Sequence, residues 1–224
     1  MLEKAHARPD LYLLLSLLIV ILLHPVLDHG VERRLMLGAL MFGPVILATV
    51  KLSESRGWLW PTVLLAAGAF IFSVASTFFP SPALVGTKWA ILAAFFGLAV
   101  AGLFPYLKNA RSVLAAHLYT AISIYLLIGL AWFALYSAID VFYPGSILRS
   151  SMAMADRSSE LLYFSLVTLS TIGYGDVVPL YGEVRMLAAL EGVTGVLYVA
   201  ITVALLVSSY KQQDNSREPR ARKP

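Results

Sequence analysis

Six apolar runs, separated by short polar breaks, set the pattern of the chain. They cover residues 11–27, 35–52, 61–79, 87–107, 113–139 and 183–210. A membrane-spanning helix needs about 20 mostly apolar residues, and about 17 suffice. The breaks carry their own signals. Pro25 and Asp28-His29-Gly30 close the first run, and Ser53-Glu54-Ser55-Arg56-Gly57 closes the second, within which Pro44 predicts a kink. Trp58 and Trp60 precede Pro61, which opens the third helix as tryptophans and prolines do at a membrane interface and a helix start. Pro80 and Pro82 end it, and Trp132 and Tyr136 lie near the outer end of the fifth. The stretch 140–157 is polar and holds the turn signal Pro144-Gly145. After it, 160–170 reads as a short helix, with Asp156, Ser158 or Ser159 available as its N-cap. It is too short to cross a bilayer.

This pattern predicts an all-α membrane protein of six transmembrane helices plus one half-length, re-entrant helix. Residues 1–110 are expected to form a four-helix unit, 111–210 a second unit, and 211–224 a basic, disordered tail. Composition agrees. Hydrophobic residues make up 59% of the 224 and charged residues 13%, with a mean hydropathy of +0.78. A soluble domain carries about 25% charged residues, so the chain has too little polar surface for water. The first run sits behind Lys4 and Arg8 like a signal peptide. It is followed by His24-Pro25-Val26-Leu27-Asp28 and not by a small-residue cleavage site, which favours a retained helix. There are no cysteines.

The net charge of +4 has its basic residues gathered near the ends of the runs, a mark of topology and not of nucleic-acid binding. With both termini inside, eleven of the 17 Lys and Arg fall on the cytoplasmic side: Lys4, Arg8, Lys51, Arg56, Lys108, Arg111 and five in the tail. Six fall outside, including Arg33, Arg34 and Lys88. The bias predicts a multi-pass cell-membrane protein with cytoplasmic termini, in contact with membrane lipids. Lys108 and Arg111 are expected to anchor headgroups.

The densest chemical signal is Thr168-Leu169-Ser170-Thr171-Ile172-Gly173-Tyr174-Gly175-Asp176. Two glycines around a tyrosine permit backbone angles that other residues avoid, so successive carbonyls can turn to one side. Irregular backbone at membrane depth is tolerated where it is buried in protein or lines a watery path. This stretch resembles the selectivity filter of potassium channels, whose familiar form is Thr-Val-Gly-Tyr-Gly. The only departure is Ile172 for valine, another β-branched residue. The resemblance covers roughly residues 113–210, because an outer helix, a half-length helix, the filter and an inner helix follow in the family's order.

The resemblance implies that backbone carbonyls of Thr171, Ile172, Gly173 and Tyr174 coordinate K⁺, with Gly175 completing the ribbon and the Thr171 hydroxyl closing the inner site. It implies that Thr168 and Asp176 support the filter. Tyr174 would point off the axis, braced by Tyr163 and Phe164, unless these are plain interface aromatics. The short helix would aim its partial negative end at a central cavity. One filter copy per chain then requires a homotetramer, since four walls must enclose an axis. The implied activity is passive, potassium-selective conduction, with K⁺ as the transported ion and no cofactor.

On the inner helix, Gly195 sits at the family's hinge position with Gly192 beside it; close helix packing is the competing reading. Glu191 is an ionisable residue at membrane depth, expected to hydrogen-bond behind the filter, the alternative being to face the cavity. Val196, Val199, Val203 and Val207 form a stripe that either lines a cavity and its gate or packs against lipid. The fourth run has Lys88 at its lip and no arginine, whereas a voltage sensor needs three to four gating charges. Weak voltage dependence is expected. His24, Asp28 and His29 are grouped outside; a metal site or a pH sensor is the sharper reading and scattered loop polars the plainer one. His117 reads as an interhelical hydrogen-bonder. No catalytic motif is present, so no enzyme is expected. Two rival readings are a subunit of a potassium uptake transporter and a cation-sensing membrane protein.

Overall fold

A computed structural model describes residues 2–27, 31–52, 56–108, 115–149 and 157–217. It contains seven helices: α1 (Leu2–Leu27), α2 (Val31–Leu52), α3 (Arg56–Phe78), α4 (Pro82–Lys108), α5 (Ala115–Phe142), α6 (Arg157–Leu169) and α7 (Gly182–Arg217). Two three-residue strands, β1 (Ile147–Arg149) and β2 (Val177–Pro179), complete the order.

Among the described residues, five helices are long and apolar enough to cross a membrane: α1, α3, α4, α5 and α7. α2 contributes a shorter apolar stretch, Leu40–Leu52, among the described residues. The chain is therefore a multi-pass helical membrane protein. Helix α5 is its axle. It packs on α1, α4, α6 and α7. Its side chains fill the core accordingly: Ile124, Leu127, Leu130 and Phe133 are fully buried, and they meet Leu13 and Leu17 of α1 and Phe95 and Phe96 of α4. By contrast, α3 presents Leu64, Phe70, Ile71 and Phe78 outward, the apolar exterior that lipid requires.

The mostly helical architecture agrees with the expected all-α membrane protein and adds one short strand pair, and two element boundaries need amending. β1 and β2 pair antiparallel, with Ile147 opposite Pro179 and Arg149 opposite Val177, and the Leu180 amide donates to the Ser146 carbonyl at 2.8 Å. The strands are short and far apart in sequence, so no local periodicity announces them. The short helix starts at Arg157, which puts Ser158 and Ser159 inside its first turn; Asp156 lies outside the described residues. Finally, α7 continues through Arg217, so a disordered tail from 211 is replaced by helix over its first residues, and 218–224 lie outside the described residues. α2 is helical straight through Pro44, and the Pro144-Gly145 turn forms as expected, with Gly145 at φ 84°.

Candidate functional site

α6 descends for thirteen residues and stops at Leu169. The chain then reverses on itself. The amides of Ile172 and Gly173 both donate to the Val167 carbonyl, at 3.0 and 3.4 Å, and the Thr171 amide donates to Thr168 at 2.9 Å. This folding-back needs left-handed backbone at three places: Thr171 (φ 59°), Gly173 (φ 57°) and Gly175 (φ 80°). Glycine adopts such angles freely, whereas a β-branched residue does so only under constraint. Thr171 is therefore a strained position, and strain of this kind gathers at functional sites.

Among the described residues, no protein group donates a hydrogen bond to the carbonyls of Thr171, Ile172, Gly173 or Tyr174. Residues 170–176 are all exposed in the single chain, although Ile172 (55%) and Tyr174 (69%) are large and apolar. A run of carbonyls without donors at membrane depth is costly unless something else satisfies them.

The loop is held from behind and above. Tyr163 stacks on Tyr174, ring centroids 6.4 Å apart and nearly parallel, and its hydroxyl donates to Asp176 Oδ2 at 2.9 Å. Asp176 Oδ1 also accepts from the Val177 amide at 3.1 Å. Phe164 does not join them in a stack. It is buried edge-on against Tyr136 at 5.1 Å. Tyr163, Thr168, Gly173, Tyr174 and Asp176 line a recess of about 240 Å³ behind the loop. β2 then ties the outer end of the loop to β1, beside a second clip. Arg157 ion-pairs with Asp140 at the end of α5 and donates to the Ile147 carbonyl at 3.0 Å. The hydrogen bond that Arg157 donates to Asp140 raises the Arg157 pKa above its ordinary value, against a smaller opposing effect of burial. Neither the strand pair nor this clip was anticipated. The one sequence hint is an acid at the end of α5 facing a base at the start of α6.

Glu191 of α7 is fully buried behind α6. Its Oε2 accepts from the Tyr136 hydroxyl at 2.8 Å, and its Oε1 lies 2.6 Å from Ser165 Oγ. Ser165 also sits 2.8 Å from the Gly129 carbonyl, so its one proton serves one of the two acceptors at a time. Glu191 thus bridges α5, α6 and α7. Tyr136 and Ser165 are partners that sequence reasoning did not assign to it, since nothing local links positions this far apart.

Below the loop, Thr168, Thr171, Gly192, Val193 and Val196 line an open recess of about 410 Å³. Val196, Val199, Val203 and Val207 remain about half exposed in the single chain, alongside Leu190, Leu197 and Ile201. Gly195 faces the other way. A Cβ there would run into the Leu169 carbonyl at the end of α6, whereas at Gly192 the nearest atom would be 3.7 Å away, an ordinary contact. The side chain that would not fit explains the glycine.

His24 is not a loop residue. It lies in α1, fully buried, edge-on to Phe133 at 5.3 Å and 3.3 Å from Ser158 Oγ. Asp28 and His29 lie outside the described residues. Among the described residues, no three His, Cys, Asp or Glu are grouped as metal ligands. His117 stacks on Tyr106 of α4 at 5.0 Å. Lys88 lies over the Trp89 ring at 4.5 Å.

Comparison with known proteins bears on this same segment. Residues 120–212 match the family model described as "Ion channel". Over 59 residues, 26% of this chain, it is 36% identical to a protein of Rhodopseudomonas palustris provisionally described as a potassium channel protein. That match spans 14% of the relative's length. No solved structure matches. The match falls on the helix pair α5 and α7, with α6 and the glycine loop between them, so this segment is similar to the modules of ion channels, with further helices ahead of it.

Proposed function

We propose that this protein is a potassium-selective channel. Four copies surround an axis, each contributing one ribbon of carbonyls from Thr171, Ile172, Gly173 and Tyr174, with the Thr171 hydroxyl at the inner end and Gly175 at the outer. The observation that carries the reading is the set of four consecutive carbonyls with no donor of their own. A dehydrating K⁺ needs such oxygens in place of water, and the oxygens need a positive partner.

The bare apolar surfaces support fourfold assembly. Ile172, Tyr174, Leu190, Val193 and Leu197 are half or more exposed on one side of the chain. Neighbouring copies cover them, and closed symmetry follows. The recess under Thr171 becomes one quarter of a central cavity, lined by Val196 and, lower down, by Val199, Val203 and Val207. These valines gate by dewetting when α7 moves. The C-terminal end of α6 points its partial negative charge at that cavity. Tyr163, Thr168, Phe164, Asp176 and Glu191 hold the filter from behind, and Gly195 with Gly192 gives α7 its flexible point. α2 supplies the sixth crossing, which puts both termini in the cytoplasm. Conduction is passive and only weakly voltage-dependent, because α4 carries Lys88 and no arginine.

The test is reconstitution of the full chain in bilayers with mixed K⁺ and Na⁺. The expected reversal potential follows the K⁺ gradient, the conductance–voltage curve is shallow, and the detergent-solubilised particle has four chains. A reversal potential that ignores K⁺, or a dimeric particle, refutes the proposal.

A further inference from the structure

Far from the filter, α5 carries a second polar site. Lys51 at the end of α2 forms an ion pair with Asp10 near the start of α1; their side chains are only 10% and 3% exposed. Thr120 of α5, fully buried, lies between them. Lys51 Nζ donates to Thr120 Oγ1 at 2.6 Å, and Thr120 Oγ1 is 2.9 Å from Asp10 Oδ1 and 3.0 Å from the Ala116 carbonyl, so its one proton alternates between two acceptors. Lys51 also lies 4.5 Å above the ring of Tyr106, which stacks on His117. Helices α1, α2, α4 and α5 therefore meet at one buried charge pair. Along α5, Thr120 is twenty residues from Asp140, about 30 Å at 1.5 Å per residue. The pair and the Arg157–Asp140 clip thus sit at opposite ends of α5.

The residue after Thr120 is where α5 grips the inner helix. The Tyr198 hydroxyl donates to the Ala121 carbonyl at 2.6 Å. Tyr198 is also 5.8 Å from Tyr125, whose hydroxyl donates to the Leu169 carbonyl at 3.3 Å. Leu169 is the residue that Gly195 packs against, and Tyr198 follows Gly195 by one helical turn. A rotation of α7 at Gly195 must move Tyr198 against Ala121.

We propose that Asp10, Lys51 and Thr120 form a latch by which the first helices fix the inner end of α5, and through Ala121 and Tyr198 set how often α7 opens the pore. The proposal rests on the channel reading of the glycine loop. Its physical basis is that a buried ion pair is no better than apolar packing for plain adhesion, yet it tolerates only one register, and losing one partner leaves an unpaired charge. An ionisable pair at membrane depth marks function more often than scaffolding. Coupling of this kind requires a two-state element, here the packed turn of α7 at Gly195. The pair has no net charge, so the latch itself does not answer to voltage.

The experiment is single-channel recording of the full chain in planar bilayers. Lys51→Met and Asp10→Asn should each change open probability by roughly two- to thirtyfold, the usual range for coupling positions, with the K⁺/Na⁺ reversal potential unchanged. Thr120→Val keeps the shape and removes the bridging hydroxyl, so it should shift open probability in the same direction by less. Tyr198→Phe should reproduce the Lys51→Met shift. Combined, Tyr198→Phe and Lys51→Met should give little more than either alone, because both break one path. If Lys51→Met does not assemble, Thr120→Val and Tyr198→Phe carry the test by themselves. Unchanged open probability in those two variants, or fully additive shifts, overturns the latch while leaving the channel intact. If the unaltered chain passes no current, the failure lies with the channel reading.

Discussion

The glycine loop and the Asp10–Lys51 site are both polar places in an apolar protein, and they handle polarity in opposite ways. At Asp10–Lys51 every charge is answered inside one chain: carboxylate, ammonium and hydroxyl satisfy one another and are closed off from solvent. At residues 171–174 the amides of the first three fold back on α6, but among the described residues no donor answers the carbonyls. The carbonyls lack donors, Thr171 is held in left-handed backbone, and apolar Ile172 and Tyr174 stand bare. Consistency across local and global demands is the rule for a folded chain, and its local failures gather where function lies. A single copy of this protein is complete at one site and unfinished at the other.

The sharpest way to break this contrast is to make the loop satisfy itself. Gly173→Ala adds a side chain where φ is 57°. Left-handed backbone costs a residue with a Cβ about 1–2 kcal/mol in each copy. The ribbon should relax to ordinary angles and lose its carbonyl array. The expected result is loss of K⁺-selective current in reconstituted bilayers with the assembled particle unchanged by size. Unaltered selectivity would show that the positive φ has no part in conduction.

Next in size is the seam between α6 and α7. Glu191→Ala strands the Tyr136 hydroxyl in a buried site, at about 1–3 kcal/mol for an unsatisfied group, whereas Ser165 keeps the Gly129 carbonyl as its acceptor. Glu191→Gln keeps an acceptor for Tyr136 and should cost less. The midpoint of thermal unfolding in detergent should fall in the order wild type, Gln, Ala; equal midpoints for all three would mean that the bridge does not hold the helices. A paired glycine comparison sharpens the same seam. Gly195→Ala drives a methyl into the Leu169 carbonyl and should cost about 1–3 kcal/mol by overpacking. Gly192→Ala has room and should gain up to about 1 kcal/mol from better helix propensity. If Gly192→Ala proved the more damaging, close approach would not be the reason for the glycine at 195.

Much of this was legible beforehand, and unevenly. Long apolar runs announce helices because only a helix satisfies its own backbone in lipid, so α1, α3, α4, α5 and α7 lie close to their expected positions. The loop was legible because its glycines and its order between two helices are local facts. Contacts between distant segments were not. The β1–β2 pair joins three residues to three others about thirty positions away, with no periodicity in either. Ser165 and Tyr136 look like ordinary helix residues until α7 brings Glu191 to them. From sequence alone, Lys51 counts only as a cytoplasmic-side charge of the second run, and Asp10 is not singled out. Yet the pairing had a signal. In two antiparallel helices, the start of the first lies beside the end of the second, which is where Asp10 and Lys51 stand. His24 misled in the opposite direction, since α1 runs on past Pro25 and carries it into the core.

The smallest expected effect tests how the unfinished site is kept open. Tyr163→Phe leaves the ring stacked on Tyr174 and removes only the hydroxyl bonded to Asp176. That bond is solvent-exposed in the single chain, so its loss should lower stability by no more than about 1 kcal/mol, barely visible in thermal unfolding. Its effect belongs to time and not to equilibrium stability. Asp176 also caps the Val177 amide, the first residue of β2, so the hydroxyl links the loop to the strand pair that holds its outer end. With that link cut, the loop's outer end has one restraint fewer against collapse. Under sustained K⁺ current, Tyr163→Phe should shorten conducting bursts a fewfold while leaving reversal potential and single-channel current unchanged. Bursts of unaltered length would assign the restraint to the stacked ring and to β1–β2 pairing, and leave the hydroxyl as surface chemistry.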